Sequence, residues 1–439
     1  MATQFVRHAK KALNVAWGQI LLAIIAVASI RIYTELLEPS EFGKAMLAMG
    51  AYTLLDGILI MALSQTLALF CSRLQGDEQK RSVAAGFASI LIGRYLKVIP
   101  AALLLCALVA SIFWSGYLSI LLFGALTTAY LVAETARTAM LTLLNVNQQH
   151  GRYSIWVITE ALIIFLVVSA TLWAGTSSAA AYIYALVCAK VFSTVVFFLL
   201  YHRGKFFRSI DFKLIDSLRA GALGYAVPFS GMAVIGWLGA YLDRYILTYS
   251  APAASIGIYV GSAGTIGRPY AIVTSMLSNY FRPMLFSAQA NRDSAKGRAI
   301  FRVWLIAAIL IGVAGTVGAL LIGPVLLPLV LADSYRGGAI QIMAILSIGL
   351  TASIAAHALD NFLFSKGWSK LLVIPQVVSV LISVAAIWIL ASRFGAAGAA
   401  AGKAIGDVSK LLLTMGLVAI AGNRENSVIQ TEVEALKCE

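Results

Sequence analysis

The sequence has little charge and few residues of the kinds that build metal or redox centres. Only 12% of its 439 residues are Asp, Glu, Lys or Arg, about half the share that is typical of a soluble domain. The cysteines and histidines are scattered, and no pair lies at metal-ligand spacing. They are Cys71, Cys106, Cys188, Cys438, His8, His150, His202 and His357. The sequence therefore predicts no disulfide framework, no metal site, no catalytic residues and no cofactor.

An ATP-binding signature is also missing. No GxxxxGK[ST] phosphate-binding loop occurs in the chain, and such a loop is what cradles nucleotide phosphates in P-loop proteins. The sequence therefore favours a function that does not depend on ATP hydrolysis by this chain.

Apolar residues, in contrast, are abundant. They make up 60% of the chain, and the mean hydropathy is +0.88. A soluble domain of this length could not accommodate so many apolar residues in its core and at its surface. This composition excludes a soluble enzyme, a nucleic-acid-binding protein and a secreted domain, and it predicts a membrane protein.

The apolar runs predict an all-α polytopic fold with about twelve transmembrane helices. In the first half they lie near 13–35, 45–70, 98–115, 118–142, 153–174 and 180–201, and in the second half near 221–249, 254–281, 300–322, 338–358, 369–391 and 396–421. An amphipathic segment at 82–95 is expected to lie on the membrane surface before the third span.

The positive charge is distributed unevenly along the chain. The net charge is +14, and most Lys and Arg residues lie in the N-terminal segment and in alternate joints between the predicted spans. The positive-inside rule then places both termini in the cytoplasm of a multi-pass plasma-membrane protein, in the inner membrane if the cell is Gram-negative. The first apolar run continues past a signal-peptide-like site at Ala28 to Leu37, so we interpret it as a retained helix.

An internal repeat relates the two halves of the sequence. RIYTELLEP at 31–39 aligns with RYILTYSAP at 244–252, and Gly43 and Gly257 follow the two prolines. Further matches occur in the same order: HGRYS with KGWSK, SAAAY with GAAAG, and Lys190 with Lys410. Because each half holds six predicted spans, the repeats are parallel, and we expect two six-helix bundles around a central cavity.

The repeat also predicts the domain organisation. We expect an N-terminal six-helix lobe at 1–201, a cytoplasmic interlobe linker at 202–220, a C-terminal six-helix lobe at 221–421 and a cytoplasmic tail at 422–439.

Several motifs resemble one family of membrane proteins. The stretch GALGYAVPFSGMAVIGWLGAYLDRYILTYSAPAASIGIYVGSA at 221–263 is similar to the seventh and eighth spans of bacterial polysaccharide transporters. These are the lipid-linked oligosaccharide flippases of the multidrug/oligosaccharidyl-lipid/polysaccharide exporter superfamily. Other segments resemble the same family in the same order: ELLEPSEFG, LLPLVLADSYRGGAIQIMAILSIG, LFSKGWSKLL and FGAAGAAAG.

The resemblance implies a V-shaped pair of bundles that works by alternating access. It also implies a flippase that moves an undecaprenyl-pyrophosphate-linked oligosaccharide from the inner to the outer leaflet, for assembly of a lipopolysaccharide or exopolysaccharide. The implied partners are the lipid-linked glycan, membrane lipids, a polysaccharide polymerase and glycosyltransferases, with no nucleic acid. The implied coupling ion is H⁺ or Na⁺.

Cations inside the predicted spans are candidates for binding the substrate pyrophosphate. An ionised side chain at mid-bilayer costs about 2.5–3.5 kcal/mol, so such residues are expected to face a partner or a wet cavity. We expect a cationic cavity formed by Arg244, Lys403, Lys410, Lys190 and Arg268. Ion pairs between helices, or snorkelling toward the interfaces, would explain the same residues.

The acids inside the spans have two expected roles. Glu134 and Arg137 are three residues apart on one helix, which predicts a structural ion pair. Asp56 and Glu160 have no cation nearby in their own helices, so they are candidates for proton or sodium coupling. A hydrogen bond to another helix would also account for either acid.

Two other functions compete with a flippase. A cation-coupled multidrug efflux transporter would share the fold, but its cationic substrates would be repelled by surplus Lys and Arg. A membrane-embedded glycan polymerase or ligase would need a large outer loop to handle sugar acceptors, and the outer joints here are short, for example at 175–179 and 250–253.

Overall fold

The computed structural model describes residues 18, 21–113, 117–202, 206–207, 210–291 and 293–437. The regular structure in these residues is helical, as the apolar runs predict. Parts of four predicted elements lie outside the described residues: the beginning of the first span, at 13–17 and 19–20, the end of the third span, at 114–115, part of the linker, at 203–205 and 208–209, and the end of the tail, at 438–439.

The chain forms two compact units. Unit 1 holds the described residues up to Leu37 together with Lys44–Trp237, and unit 2 holds Glu38–Gly43 together with the described residues from Leu238 onward. The division therefore falls between Trp237 and Leu238, inside a helix, and not within the predicted linker at 202–220. Residues 212–220 of the predicted linker belong to the helix Phe212–Ser250, and the division into two lobes with a linker stays a prediction.

The helices follow one another with short connections. They are α1 (21–36), α2 (Pro39–Leu55), a π-helical turn (Asp56–Met61), α3 (Ala62–Ser72), α4 (Asp77–Phe113), α5 (Tyr117–Val146), α6 (His150–Trp173), α7 (Ala179–His202), α8 (Phe212–Ser250), α9 (Ala253–Ala290), α10 (Ser294–Leu321), α11 (Gly323–Val330), α12 (Ala339–Ser365) and α13 (Val373–Lys437). Short 3₁₀ turns lie at Asp333–Tyr335 and Ser369–Leu372.

Seven helical stretches among the described residues are long and apolar enough to cross a membrane. They are Pro39–Ser72, His150–Trp173, Ala179–Leu200, Phe212–Ser250, Ser294–Leu321, Ala339–Ser365 and Val373–Ile420. The chain is therefore a multi-pass membrane protein. The count of about twelve spans in two six-helix bundles stays a prediction.

The last of these stretches contains two helices that fold back on each other. Gly395 adopts φ +56°, a left-handed conformation that glycine tolerates best, and it separates two antiparallel arms. Gly402 lies so close to Ile387 that a Cβ atom would come within 2.4 Å of the Ile387 amide nitrogen. The predicted break between the last two spans, at 391–396, is present here. The predicted tail begins within α13, which extends to Lys437, and 438–439 lie outside the described residues.

The prediction of a surface helix at 82–95 is wrong. These residues form the first half of α4, and Val83, Ala84, Ala85 and Ala88 are buried in the core of unit 1. Small residues let α4 pack tightly against its neighbours here. At Gly86, for example, an added Cβ atom would overlap the side chain of Ile215 on α8. The polar residues of the segment suggested a membrane surface, but the small apolar face packs against neighbouring helices instead.

Within unit 2, the two segments related by the predicted repeat touch each other. Pro39 and Gly43 open α2, and Gly257 lies in the first turns of α9. A Cβ atom at Gly257 would lie 1.9 Å from the carbonyl oxygen of Pro39, and one at Gly43 would lie 2.7 Å from that of Ala253. The two glycines that follow the repeated prolines thus make a reciprocal backbone contact between the beginnings of two helices.

Candidate functional site

Unit 1 contains a network of buried charged side chains from four helical elements. On α5, the Arg137 Nη1 atom donates to Glu134 Oε1 at 2.6 Å. The Arg137 Nε atom donates to Glu160 Oε2 on α6 at 2.5 Å. The Lys190 Nζ atom on α7 donates to Glu134 Oε2 at 2.5 Å. The network therefore links α5, α6 and α7 by charge-assisted hydrogen bonds, which are the stronger class.

A further carboxylate, Asp56, lies beside this network. Its Oδ2 atom accepts a 2.6 Å hydrogen bond from the hydroxyl of Tyr130 on α5. Its Oδ1 atom is buried without a hydrogen-bond partner. The Lys190 Nζ atom lies 5.1 Å from the centre of the Tyr130 ring, within cation–π distance. We call Asp56, Tyr130, Glu134, Arg137, Glu160 and Lys190 the unit 1 charge network.

The backbone that carries Asp56 is unusual. Asp56 is the first residue of the π-helical turn, and such turns are rare and often occur at functional sites. The Ser230 hydroxyl on α8 donates to the carbonyl oxygen of Ile58, inside the turn, at 2.6 Å. A Cβ atom at Gly57 would meet the Cβ of Ala233 at 3.1 Å, so the missing side chain permits α8 to approach. The α8 helix therefore holds the irregular turn in place.

The charges of the network do not balance. Its three carboxylates, Asp56, Glu134 and Glu160, face two cations, Arg137 and Lys190. Both cations are bonded to Glu134 or Glu160, whereas Asp56 accepts its hydrogen bond from the neutral phenol of Tyr130. Burying a charge without a paired opposite charge is costly. The arrangement is therefore suited to take up one proton or one monovalent cation at Asp56.

Replacing Glu134 with Gln should destabilise the protein. The side chains of Glu134, Arg137 and Lys190 are only 8%, 18% and 15% exposed, and the substitution removes the charge that both cations share. Breaking a buried ion pair costs about 3–5 kcal/mol. We therefore expect lower yield and a lower melting temperature in detergent, measured by thermal unfolding of the purified protein.

The matched control is Glu78→Gln in the exposed pair that Glu78 forms with Arg81 at 3.5 Å. The Glu78 side chain is 80% exposed, and exposed pairs contribute at most about 1 kcal/mol. Equal melting temperatures for the two variants would show that Glu134 does not hold the network together.

Unit 2 contains a second set of charged side chains. Asp243 Oδ2 accepts a 2.5 Å hydrogen bond from the hydroxyl of Tyr259, and both groups are buried. The neighbouring Arg244 lies with its guanidinium carbon 4.7 Å from the centre of the Tyr241 ring. The Arg244 Nε atom is 4.0 Å from Asp243 Oδ1, and it is buried without a hydrogen-bond partner. Arg244 therefore keeps hydrogen-bonding capacity inside a membrane-spanning helix.

The structure gives partners to several of the predicted substrate-binding cations. Lys190 belongs to unit 1, where it pairs with Glu134. In unit 2, Lys410 pairs with Asp360 at 3.0 Å, and Lys403 donates to the carbonyl oxygen of Gly239 at 2.7 Å. Arg268 is exposed on α9. A single cavity lined by all five residues stays a prediction.

The two candidate coupling acids differ in the structure. Glu160 receives Arg137 as an ion-pair partner, and the predicted pair between Glu134 and Arg137 is present at 2.6 Å. Asp56 is hydrogen-bonded by Tyr130. Sequence reasoning missed Tyr130, Tyr259 and Asp360. Asp360 was left outside its span because the predicted helix ended at 358, whereas α12 continues to Ser365.

The described residues hold no cluster of three or more His, Cys, Asp or Glu side chains arranged for a metal ion. Together, the apolar helices and the buried charge networks define a multi-pass helical membrane protein with ionisable groups inside its spans, which in membranes mark ion or substrate pathways.

Comparison with solved structures identifies the fold. The lipid II flippase MurJ in an inward closed conformation is similar with a TM-score of 0.70 and 13% identity over 94% of this chain and 87% of that chain. An inward-facing multidrug resistance MATE transporter of the MOP superfamily is similar with a TM-score of 0.66 and 14% identity, over 93% of this chain and 96% of that chain. A MOP superfamily transporter from Pyrococcus furiosus is similar with a TM-score of 0.63 and 13% identity, over 96% of each chain.

The chain thus has the fold of MOP superfamily transporters, the superfamily to which its motifs show a resemblance. Neither a protein-family model nor a curated protein sequence matches it. At these identities the likeness shows the fold, and a fold hosts more than one function.

Proposed function

We propose that this protein is a flippase that moves an undecaprenyl-pyrophosphate-linked oligosaccharide from the inner to the outer leaflet for surface polysaccharide assembly. The fold supports a transporter, and the motifs resemble polysaccharide transporters. The observation that carries the choice of an anionic lipid substrate is Arg244, whose Nε atom is buried in a membrane-spanning helix without a hydrogen-bond partner. Glycosyltransferases would supply such a substrate, and a polysaccharide polymerase would consume it.

The driving force is proposed to be a proton or sodium gradient that acts on the unit 1 charge network. Asp56 is the acid we assign to this role, because the other two carboxylates are bonded to Arg137 or Lys190. Taking up H⁺ or Na⁺ at Asp56 neutralises its charge, and the π-helical turn that carries Asp56 can then rearrange with its neighbours on α5 and α8.

The function is tested with the purified protein in liposomes that contain an undecaprenyl-pyrophosphate-linked trisaccharide with a fluorescent sugar. A membrane-impermeant quencher measures how much label has crossed to the other leaflet. We expect the protein to accelerate crossing over protein-free liposomes. Transport of ethidium, a cationic dye, without any crossing of the lipid-linked sugar would instead establish multidrug efflux.

Arg244→Ala should lower the rate of crossing in this assay roughly tenfold or more while leaving the protein folded. Arginine can bind phosphate oxygens bidentately, and hydrogen bonds to charged groups contribute about 1.5–3 kcal/mol, which corresponds to a loss of roughly tenfold or more. Initial rates at subsaturating lipid measure the effect, and melting temperature checks the fold.

The control is Arg393→Ala, which removes an exposed arginine close to the Gly395 turn of α13. We expect its rate to stay within about twofold of the wild type, since an exposed side chain away from special contacts has small effects. Equal rates for the two variants would remove Arg244 from the substrate site.

A further inference from the structure

A cavity of about 430 Å³ lies between α9 and α12 of unit 2. Its volume is within the ≈ 300–1,000 Å³ range of small-molecule sites. The wall from α9 includes Tyr270, Thr274, Ser275 and Ser278, and the wall from α12 includes Ser353 and His357. Leu350, Ile354 and Ala271 add apolar surface. None of the residues that line the cavity is an Asp, Glu, Lys or Arg.

Two serines of the cavity have hydroxyls that the protein does not use. Serines in membrane helices commonly donate to a carbonyl oxygen one turn earlier, as Ser262 and Ser347 do here. Ser275 and Ser353 make no such bond among the described residues. Each therefore offers one donor and two acceptor lone pairs from opposite walls of the cavity.

The histidine of the cavity offers an acceptor. The Ser278 hydroxyl donates its single hydrogen to the carbonyl oxygen of Thr274 at 2.7 Å. At its 2.9 Å contact with His357 Nε2, the same hydroxyl oxygen must therefore accept. The neutral ring then carries its hydrogen on Nε2 and leaves the Nδ1 lone pair free. No hydrogen bond to His357 Nδ1 is present among the described residues.

One end of the cavity is rigid. The Tyr270 hydroxyl donates to the carbonyl oxygen of Gly312 on α10 at 2.9 Å, and it lies 3.2 Å and 3.4 Å from the hydroxyls of Thr316 and Thr351. Because these contacts hold its hydroxyl from α10 and α12, Tyr270 is a fixed and largely buried part of the cavity wall. Such preorganisation lowers the cost of ordering a site on binding.

We propose that this cavity binds one sugar ring of the transported glycan. A pyranose has hydroxyls along its edge and C–H groups on its faces, so it can bond to Ser275, Ser353 and His357 Nδ1 while it packs on Tyr270, Leu350 and Ile354. A metal cation would lack a carboxylate here, and a pyrophosphate would lack a positive charge. The proposal rests on the flippase function, since it names the part of that substrate that unit 2 recognises.

The test compares two probes in the liposome assay: the undecaprenyl-pyrophosphate-linked trisaccharide, and undecaprenyl pyrophosphate without sugar, whose crossing is followed by leaflet-specific phosphatase release of phosphate. The variant is the double substitution Ser275→Ala and Ser353→Ala. Losing two hydrogen bonds of about 1 kcal/mol each should raise the trisaccharide lipid concentration for half-maximal crossing roughly tenfold or more. The maximal rate should change by less than about twofold, and the values for the sugar-free lipid should not change.

The control is the double substitution Ser392→Ala and Ser409→Ala. The hydroxyls of both serines bond to carbonyl oxygens of their own helix, and neither serine lines the cavity. For this control we expect the half-maximal concentration and the maximal rate of the wild type with both lipids.

A second measurement applies if the double variant does not fold. Ser275→Cys is introduced into a chain whose four native cysteines are replaced by alanine, and its labelling by a maleimide is timed. The trisaccharide lipid should slow the labelling, whereas the sugar-free lipid should not, and Ser392→Cys should respond to neither.

The outcomes separate this proposal from the proposed function. Suppose that the wild type moves the trisaccharide lipid. If the double variant then has an unchanged concentration for half-maximal crossing, or if that concentration changes equally for both lipids, the sugar site is overturned and the flippase function stands. If Ser275→Cys is used, equal protection by both lipids or by neither overturns the site. If the wild type moves neither lipid, both proposals fail.

Discussion

Asp56→Asn should eliminate gradient-driven transport without loss of folded protein. The amide keeps the size of the side chain and can still accept the hydrogen bond from Tyr130, which spans 2.6 Å in the structure. It cannot carry a negative charge, so it fixes the neutral form. If transport requires Asp56 to alternate between the charged and the neutral state, crossing of the lipid-linked sugar should no longer respond to an imposed pH or sodium gradient.

The measurement compares initial crossing rates in liposomes with and without each gradient, for the wild type and for Asp56→Asn. The matched control is Asp293→Asn at the beginning of α10. Asp293 accepts a hydrogen bond from the Lys296 amide at 2.9 Å, and Asn caps helices about as well as Asp, so this variant should respond like the wild type. A normal response in Asp56→Asn would place the coupling outside this acid.

The sequence indicated which charged residues lie within apolar stretches but could not tell which charges find partners. Helical spacing predicts contacts within one helix, and it predicted that Glu134 and Arg137 would be neighbours. Contacts between helices have no such period. The pairing of Arg137 with Glu160, and of Lys190 with Glu134, appears only when α5, α6 and α7 pack together. Asp56 and Glu160 consequently looked equivalent in the sequence, and the structure separates them.

The overall fold was likewise predictable from the sequence only in part. Long apolar runs predicted an all-helical membrane protein, because burying a polar backbone in lipid requires helices or closed barrels. Hydropathy and charge alone could not distinguish a helix on the membrane surface from one in the protein core, and this ambiguity led to the error at 82–95. The small residues of that segment carried the missing signal, since Gly86 permits a contact that a larger residue would block.

Gly257→Ala should lower the stability of the protein, although alanine normally stabilises a helix relative to glycine by about 1 kcal/mol. The added Cβ atom would lie 1.9 Å from the carbonyl oxygen of Pro39. The obstructing atom belongs to the backbone at the beginning of α2, so it cannot rotate away as a side chain would. Either the two helix ends separate or both backbones distort, and overpacking of a tight core costs typically about 1–3 kcal/mol or more.

The reciprocal position gives a graded comparison. A Cβ atom at Gly43 would lie 2.7 Å from the carbonyl oxygen of Ala253, a less severe overlap, so Gly43→Ala should lower the melting temperature less than Gly257→Ala does. The control is Gly318→Ala on α10, where an added Cβ atom meets nothing within 4 Å. Because only helix propensity acts there, its melting temperature should equal or exceed that of the wild type. Thermal unfolding and the yield of the purified variants measure this order of stability. If Gly257→Ala proves as stable as Gly318→Ala, the two segments related by the sequence repeat do not meet as closely as the structure places them.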